Sequence, residues 1–171
     1  LPALLDQLDA QGIVPGPVHQ GIAKMPERVS AHRPGEIVAL PAGDLDDGVP
    51  FAGRTDRAIA RDLFQRHAID DSPANWQRFV STYLVHLPSS LASRPGRVLP
   101  GVAELLEQLR SRGNVAIGLL TGNIRDGART KLGFYGIDRY FSFGGFGDHH
   151  LDRNDVASEA LIEAARHLPE P

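Results

Sequence analysis

Residues 115–123 have the sequence Val-Ala-Ile-Gly-Leu-Leu-Thr-Gly-Asn, and this stretch decides the fold. Its first six residues form a continuous apolar run, which is typical of a parallel strand that is buried on both faces. Thr121 ends the run, and the side chain of Asn123 favours the start of a helix. With Asp126 three residues further on, the pattern predicts a helix that is capped by Asn123 and ends at Gly133. The stretch therefore predicts a strand that leads directly into a helix.

The segments on either side predict further helices and a second strand. Thr55 and Ser72 are expected to cap two of these helices, and Pro88 is expected to end the second. In the last helix Val156 and Leu161 are expected to face inward. The predicted elements are helices at 55–68, 72–88, 100–113 and 152–168 and a strand at 141–146. From residue 100 onward, helix, strand, helix, strand and helix follow in the order that a doubly wound α/β domain with a parallel sheet requires.

Composition narrows the function classes. The chain has 171 residues, of which 42% are hydrophobic and 23% charged, as expected for one globular domain or a core with a small inserted cap. A net charge of -3 with scattered Lys and Arg argues against a nucleic-acid partner. The sequence holds no apolar run long enough for a membrane span and does not start with a basic leader, so a cytoplasmic location is expected. Because the chain has no cysteine, its chemistry must come from carboxylates, hydroxyls, histidines or cations.

The turn after the first strand suits an anion. In an open α/β sheet, ligands bind beyond the carboxyl ends of the strands, where a helix start also presents unpaired N–H groups. There the hydroxyl of Thr121 can donate to a phosphoryl oxygen. The alternative is that Thr121 and Asn123 only cap the helix. The turn alone leaves both interpretations open.

Short motifs in the second half of the chain form an ordered series. They are Pro100-Gly101, Gly118 to Asn123, Lys131-Leu132-Gly133, Tyr140-Phe141 and Phe146-Gly147-Asp148. This series resembles the haloacid dehalogenase superfamily, in its phosphoglycolate-phosphatase-like branch. The resemblance covers about residues 46–168. It implies an incomplete Rossmann-like core with a helical cap, in which residues 1–45 do not match the family, 46–98 form the cap and 99–171 form part of the core.

The resemblance also implies an activity, namely magnesium-dependent hydrolysis of a small phosphate ester through an aspartyl-phosphate, with a second aspartate as general acid and base. Thr121 matches the second motif of the family. Its hydroxyl and the backbone at Gly122 and Asn123 would hold the phosphoryl group. The partner would be a small phosphorylated metabolite.

Three other residues receive roles from the resemblance. Arg153 stands where the third motif usually has a lysine, so its cation would offset charge between carboxylate and phosphate. The alternative for Arg153 is a solvated residue in the first turn of a helix. Arg54 and Thr55 match the cap loop that faces substrate, although an arginine at a helix start is more often on the surface.

The departures from the family concern its carboxylates. The first motif is an apolar strand that ends in Asp-x-Asp, and residues 1–35 contain no such strand. Asp44-Leu45-Asp46 has the spacing, but it follows Pro41-Ala42-Gly43 and is predicted to be a loop. The fourth motif, which holds magnesium, would follow another strand beyond residue 171. No protein ligand for magnesium is therefore identified, and impaired turnover is expected.

The loop Asp148-His149-His150 imitates a metal cluster, since imidazole and carboxylate both bind zinc. Adjacent histidines point apart on most backbones, so an exposed loop is the favoured interpretation. Two rival functions stay open. One is a phosphate-binding module that has lost its chemistry, and the other is a dehalogenase of short haloacids, which needs no metal.

Overall fold

A computed structural model describes residues 50–94 and 96–168 of the chain. Within these residues the protein belongs to the α/β class, with five α-helices and one two-stranded parallel sheet. The helices are α1 (Asp56–Arg66), α2 (Pro73–Ala92), α3 (Val102–Ser111), α4 (Arg125–Phe134) and α5 (Arg153–His167), and the strands are β1 (Gly118–Leu120) and β2 (Phe143–Gly145). The predicted α/β class is confirmed, whereas the larger doubly wound sheet and the cap and core boundaries stay predictions. The segment 1–45 and the predicted Asp44-Leu45-Asp46 loop both lie outside the described residues.

Two helices occupy the segment that was expected to form the cap. Both begin at the predicted capping residues, because the Thr55 hydroxyl accepts from the Ala58 amide at 3.1 Å and the Ser72 hydroxyl accepts from the Asn75 amide at 3.3 Å. Their inner faces form one apolar cluster with the start of α4. Its buried members are Ile59, Ala60, Leu63, Phe64, Phe79, Tyr83, Leu87, Leu91 and Ile124. The helix pair is therefore packed against the segment that follows β1.

The prediction that Pro88 ends the second helix is wrong. Pro88 lies inside α2, which continues to Ala92. A proline within a helix removes one backbone hydrogen bond, and this loss is normally destabilising. Here the apolar stripe continues past the proline, since both Leu87 and Leu91 are buried in the cluster. Packing on both sides of Pro88 outweighs the local preference of the sequence.

The two strands pair in parallel, with Leu119 opposite Gly144. The pairing extends beyond the strand ends, because the Thr121 amide donates to the Gly145 carbonyl at 3.2 Å. The expectation of a six-residue strand buried on both faces is wrong. Strand β1 has three residues, and Val115 is 38% exposed. Among the described residues β1 has β2 as its single neighbouring strand, so its other edge is not covered by a strand there.

Helix α5 packs against both strands. It begins after Asp152, whose carboxylate accepts from the Asn154 amide at 2.8 Å, so the predicted start is confirmed. Val156 is buried as expected, but Leu161 is 62% exposed, which corrects the prediction that it faces inward. None of the helices in the described part of the chain combines the length and the apolar character needed to cross a membrane.

Candidate functional site

Thr121 lies at the carboxyl end of β1. Ligands of open α/β sheets bind beyond this end of the strands. The residue is 8% exposed. Its hydroxyl accepts a hydrogen bond from the Asn123 amide at 3.1 Å, which closes a tight turn. We call residues Thr121, Gly122, Asn123 and Ile124 the phosphate turn, after the role that the resemblance predicts for the first three of them. A hydroxyl has one donor as well as acceptor capacity, so this bond leaves the proton of Thr121 for a different acceptor.

The first amides of α4 bind carboxylates of the protein itself. The Ile124 amide donates to Asp56 Oδ2 at 2.9 Å, and the Arg125 amide donates to Asp148 Oδ2 at 2.8 Å. Helix starts favour negative groups because their N–H groups are unpaired and the helix dipole is positive there. Asp56 comes from the beginning of α1 and Asp148 from the loop after β2. Two side chains of the protein thus occupy amides that were expected to be unpaired, and binding of an external anion at this turn stays a prediction.

The role predicted for the Asn123 side chain is wrong. The residue that caps α4 is Ile124, whose side chain has no capping hydrogen bond. The side-chain oxygen of Asn123 instead accepts from Nζ of Lys131 at 2.5 Å. Asn123 is buried and its carbonyl accepts from the Gly147 amide at 2.8 Å. Asn123 is thus held by its amide, its carbonyl and its side chain at once.

Lys131 is a cation inside the protein. It lies on α4 and is 6% exposed. Burial lowers the pKa of Lys131 from its ordinary value of 10.5 to about 8, and the negative charge of Asp56 acts in the opposite direction. Its Nζ also lies 5.8 Å from the centre of the Tyr83 ring. The charged form of Lys131 is therefore supported by a carboxylate, an amide oxygen and an aromatic face.

Tyr83 brings α2 to the same place. Burial, and after it the charge of Asp56, raises the pKa of the Tyr83 hydroxyl well above its ordinary value. The neutral form of Tyr83 is therefore favoured at this position. Its ring packs beside Gly127 on α4, where a Cβ would lie 3.0 Å from a ring carbon. We call Asp56, Tyr83, Asn123 and Lys131 the junction cluster.

The loop before α1 covers the phosphate turn. The Asp56 amide donates to the Gly122 carbonyl at 2.7 Å, and a Cβ on Gly122 would overlap the carbonyl oxygen of Arg54. Glycine is required here because two backbone segments meet. A phosphate turn with any other residue at this position would have to move away from the loop before α1.

The two residues assigned to the cap loop are engaged within the protein. The Arg54 guanidinium pairs with Asp62 at 2.8 Å and donates to the Pro50 carbonyl at 3.2 Å. Thr55 is fully buried, and its hydroxyl caps α1 and donates to the Leu151 carbonyl at 3.4 Å. This arrangement favours a structural role for Thr55. Contact with substrate stays a prediction for both residues.

Arg153 is the first residue of α5 and is partly buried. The loop that precedes it contacts the phosphate turn through the Gly147 amide and the first residue of α4 through Asp148. The loop that leads to Arg153 therefore lies next to the phosphate turn. Its proposed contact with phosphate stays a prediction.

The described residues do not assemble a group of three histidine, aspartate or glutamate side chains that could share one metal ion. In the loop that imitates a metal cluster, Asp148 binds the Arg125 amide and His150 pairs with Glu159 at 3.0 Å. His149 is exposed. The magnesium ion implied by the resemblance stays a prediction, and no chemical step is assigned to it.

Comparisons with known proteins leave the family open. The chain matches no known family in a comparison with family profiles, and no relative among curated proteins. The resemblance to the haloacid dehalogenase superfamily consequently depends on the motifs alone.

Sequence reasoning missed the charged residues that organise the site. The sequence places Asp56 at the start of a predicted helix and Asp148 in an exposed loop, and their partners 68 and 23 residues away leave no local pattern. For Lys131, the sequence did contain one indication of a special role, namely the rarity of lysine in this chain. The chain uses arginine for 16 of its 18 Lys and Arg residues, with Lys24 as the other lysine, so a lysine on the inner side of a helix was informative.

Proposed function

We propose that the chain is a phosphatase-like protein of the haloacid dehalogenase type that holds the phosphoryl group of a small phosphate ester at Thr121 and Gly122. The observation that carries this proposal is the position of the Thr121 hydroxyl. It follows a parallel strand, and it accepts from the Asn123 amide at 3.1 Å, so that its proton can be donated to an anion. A small phosphorylated metabolite in the cytoplasm would be the ligand.

The donors in this proposal differ from those expected from the sequence. The amides of Asn123, Ile124 and Arg125 are bonded to Thr121, Asp56 and Asp148. The Thr121 hydroxyl and the Gly122 amide are the remaining donors that the proposal assigns to phosphate. Donors that are fixed before the ligand arrives bind it without further ordering, which is how phosphoryl-transfer sites work.

Turnover is expected to be weak. The resemblance implies transfer through a carboxylate nucleophile, and the Asp44-Leu45-Asp46 segment, which was expected to be a loop, lies outside the described residues. Asp56 and Asp148, the carboxylates that contact the start of α4, both accept backbone hydrogen bonds there. The proposal therefore assigns Thr121 to binding and not to bond cleavage.

The test compares Thr121→Val and Thr121→Ser with the unchanged chain. Valine keeps the shape and removes the hydroxyl, while serine keeps the hydroxyl. Inorganic phosphate binding is measured by calorimetry, and hydrolysis of p-nitrophenyl phosphate is measured with magnesium. We expect Thr121→Val to weaken phosphate binding by about tenfold or more, since a hydrogen bond to a charged group is lost, and Thr121→Ser to retain it.

Thr82→Val is the matched control, because the Thr82 hydroxyl donates to the Arg78 carbonyl on an exposed part of α2. Equal phosphate affinity in Thr121→Val and the unchanged chain would refute the proposed site. Robust hydrolysis that Asp44→Asn abolishes would show that Asp44 is the nucleophile.

A second candidate is a phosphate-binding module without catalysis. The two carboxylates at the start of α4 favour it, because both are bonded to backbone amides, whereas covalent catalysis needs a carboxylate that can attack the phosphoryl group. Saturable binding of phosphate or phosphoglycolate with no turnover in magnesium would support this candidate. Release of chloride from a short haloacid without magnesium would instead support a dehalogenase.

A further inference from the structure

The junction cluster joins three helices around one cation. Asp56 belongs to α1, Tyr83 to α2 and Lys131 to α4, and Asn123 precedes α4 in the phosphate turn. All four residues are buried. A buried ammonium group is costly to keep, so a lysine at such a position needs a compensating interaction. The short contact between Lys131 Nζ and Asn123 Oδ1 supplies it.

Asn123 connects this cation to the Thr121 hydroxyl. The Asn123 side chain accepts from Lys131, and its amide donates to Thr121 Oγ1. Asn123 therefore accepts the hydrogen bond from Lys131 and also donates the hydrogen bond that orients the Thr121 hydroxyl. If Asn123 turns, the amide that orients the hydroxyl turns with it.

We infer that Lys131 is a positioning residue of the phosphate turn: its ammonium group fixes Asn123 and through it the direction in which Thr121 donates to a phosphoryl oxygen. The inference deepens the proposed function and rests on it for the identity of the ligand. Lys131 does not need to touch the phosphate. The charged and titratable groups that face it are Asp56 from α1 and Tyr83 from α2.

The first arm of the test needs no ligand. Lys131→Met keeps a long apolar side chain and removes the ammonium group, and Arg129→Met removes an exposed cation from the same helix as the matched control. Backbone hydrogen exchange is measured across the whole chain. We expect Lys131→Met to accelerate exchange at Asn123 and Ile124 by about tenfold more than at α2 amides, because the turn loses one of its anchors. Unchanged relative protection in the turn would overturn the inference.

If Lys131→Met does not fold, the unchanged protein still decides the question. Lys131 and Lys24 are the two lysines of the chain, so the Lys131 side-chain resonances are readily assigned. The side-chain amide of Asn123 and the backbone amides of the turn should shift with the same midpoint as Lys131 when the pH is raised. Turn resonances that ignore the Lys131 titration would overturn the inference.

The second arm uses inorganic phosphate. We expect Lys131→Met to weaken phosphate binding by about tenfold and Arg129→Met to change it less than about twofold. Full phosphate affinity in a folded Lys131→Met protein would refute the positioning role. If the unchanged chain binds no phosphate, the proposed function fails, while the exchange and titration arms still judge the contact between Lys131 and the turn.

Discussion

The buried ammonium group of Lys131 makes a specific prediction about stability and pH. In the folded protein the pKa of Lys131 is lowered from 10.5 to about 8 by burial. The unfolded chain should lose this proton near the ordinary value. Between these two values the folded state binds fewer protons than the unfolded state, so the free energy of unfolding must rise with pH.

The magnitude follows from the size of the shift. The pKa of Lys131 falls from 10.5 in the unfolded chain to about 8 in the folded protein. At about 1.4 kcal/mol for each pKa unit, this shift corresponds to roughly 3 kcal/mol in the free energy of unfolding. Below about pH 8 both states are protonated, and the full cost of the buried charge is present. The cost is removed as the pH rises from the folded pKa to the unfolded one. Between about pH 7 and about pH 10, stability should increase by roughly 2 to 3 kcal/mol from this group alone.

Urea unfolding of the unchanged chain and of Lys131→Met, at both ends of this pH range, isolates the effect. Trp76 is the sole tryptophan and stacks on Phe79 within the α1 and α2 cluster, so its fluorescence reports unfolding. The difference in stability between the two proteins should change by the predicted amount, because their other titrating groups are the same. The control Arg129→Met should follow the unchanged chain. Parallel curves for Lys131→Met and the unchanged chain would refute the buried-cation argument.

Three further substitutions test other contacts. Asp56→Asn should destabilise the fold by about 2 to 4 kcal/mol, measured by urea unfolding. It should also lower the pKa of Lys131 further, because the carboxylate that opposes the downward shift is removed. Side-chain NMR measures this pKa, and an unchanged or higher value would contradict the proposed attraction. Gly122→Ala should destabilise by at least about 1 to 3 kcal/mol because its Cβ would overlap the Arg54 carbonyl, and thermal unfolding no different from the unchanged chain would exclude that close approach. Pro88→Ala should stabilise α2 by as much as about 3 kcal/mol, since it restores a helical N–H at an exposed position; a lower midpoint in urea would show that the proline is needed.

Local chemistry predicted the helix starts well. Thr55, Ser72 and Asp152 accept amide hydrogen bonds from residues only two or three positions later, so the sequence contains both partners. The end of α2 was not predictable in this way. The helix continues past Pro88 because Leu91 is buried. Leu91 lies four residues after Leu87, the last apolar residue before Pro88.

The sequence predicted the turn from strand to helix at Thr121 but not the contacts of that turn. The apolar run ending at Thr121 identified the carboxyl end of a strand, and the structure places a helix soon after it. The pairing of Asn123 with Lys131 instead of with the helix start was not predicted, because an asparagine before a helix is usually its cap. Asp56 and Asp148 were missed for a different reason, namely that each reaches α4 from a separate part of the chain.

The beginning of α4 has a consequence for how the protein unfolds. Its first two amides are satisfied by carboxylates from segments that lie before and after it in the sequence, so this helix is completed only when both segments are in place. If either segment detached, the α4 amide that it satisfies would lose its partner next to apolar side chains. We therefore expect the helical pair and the sheet to melt in one cooperative transition, and calorimetry should find a single peak.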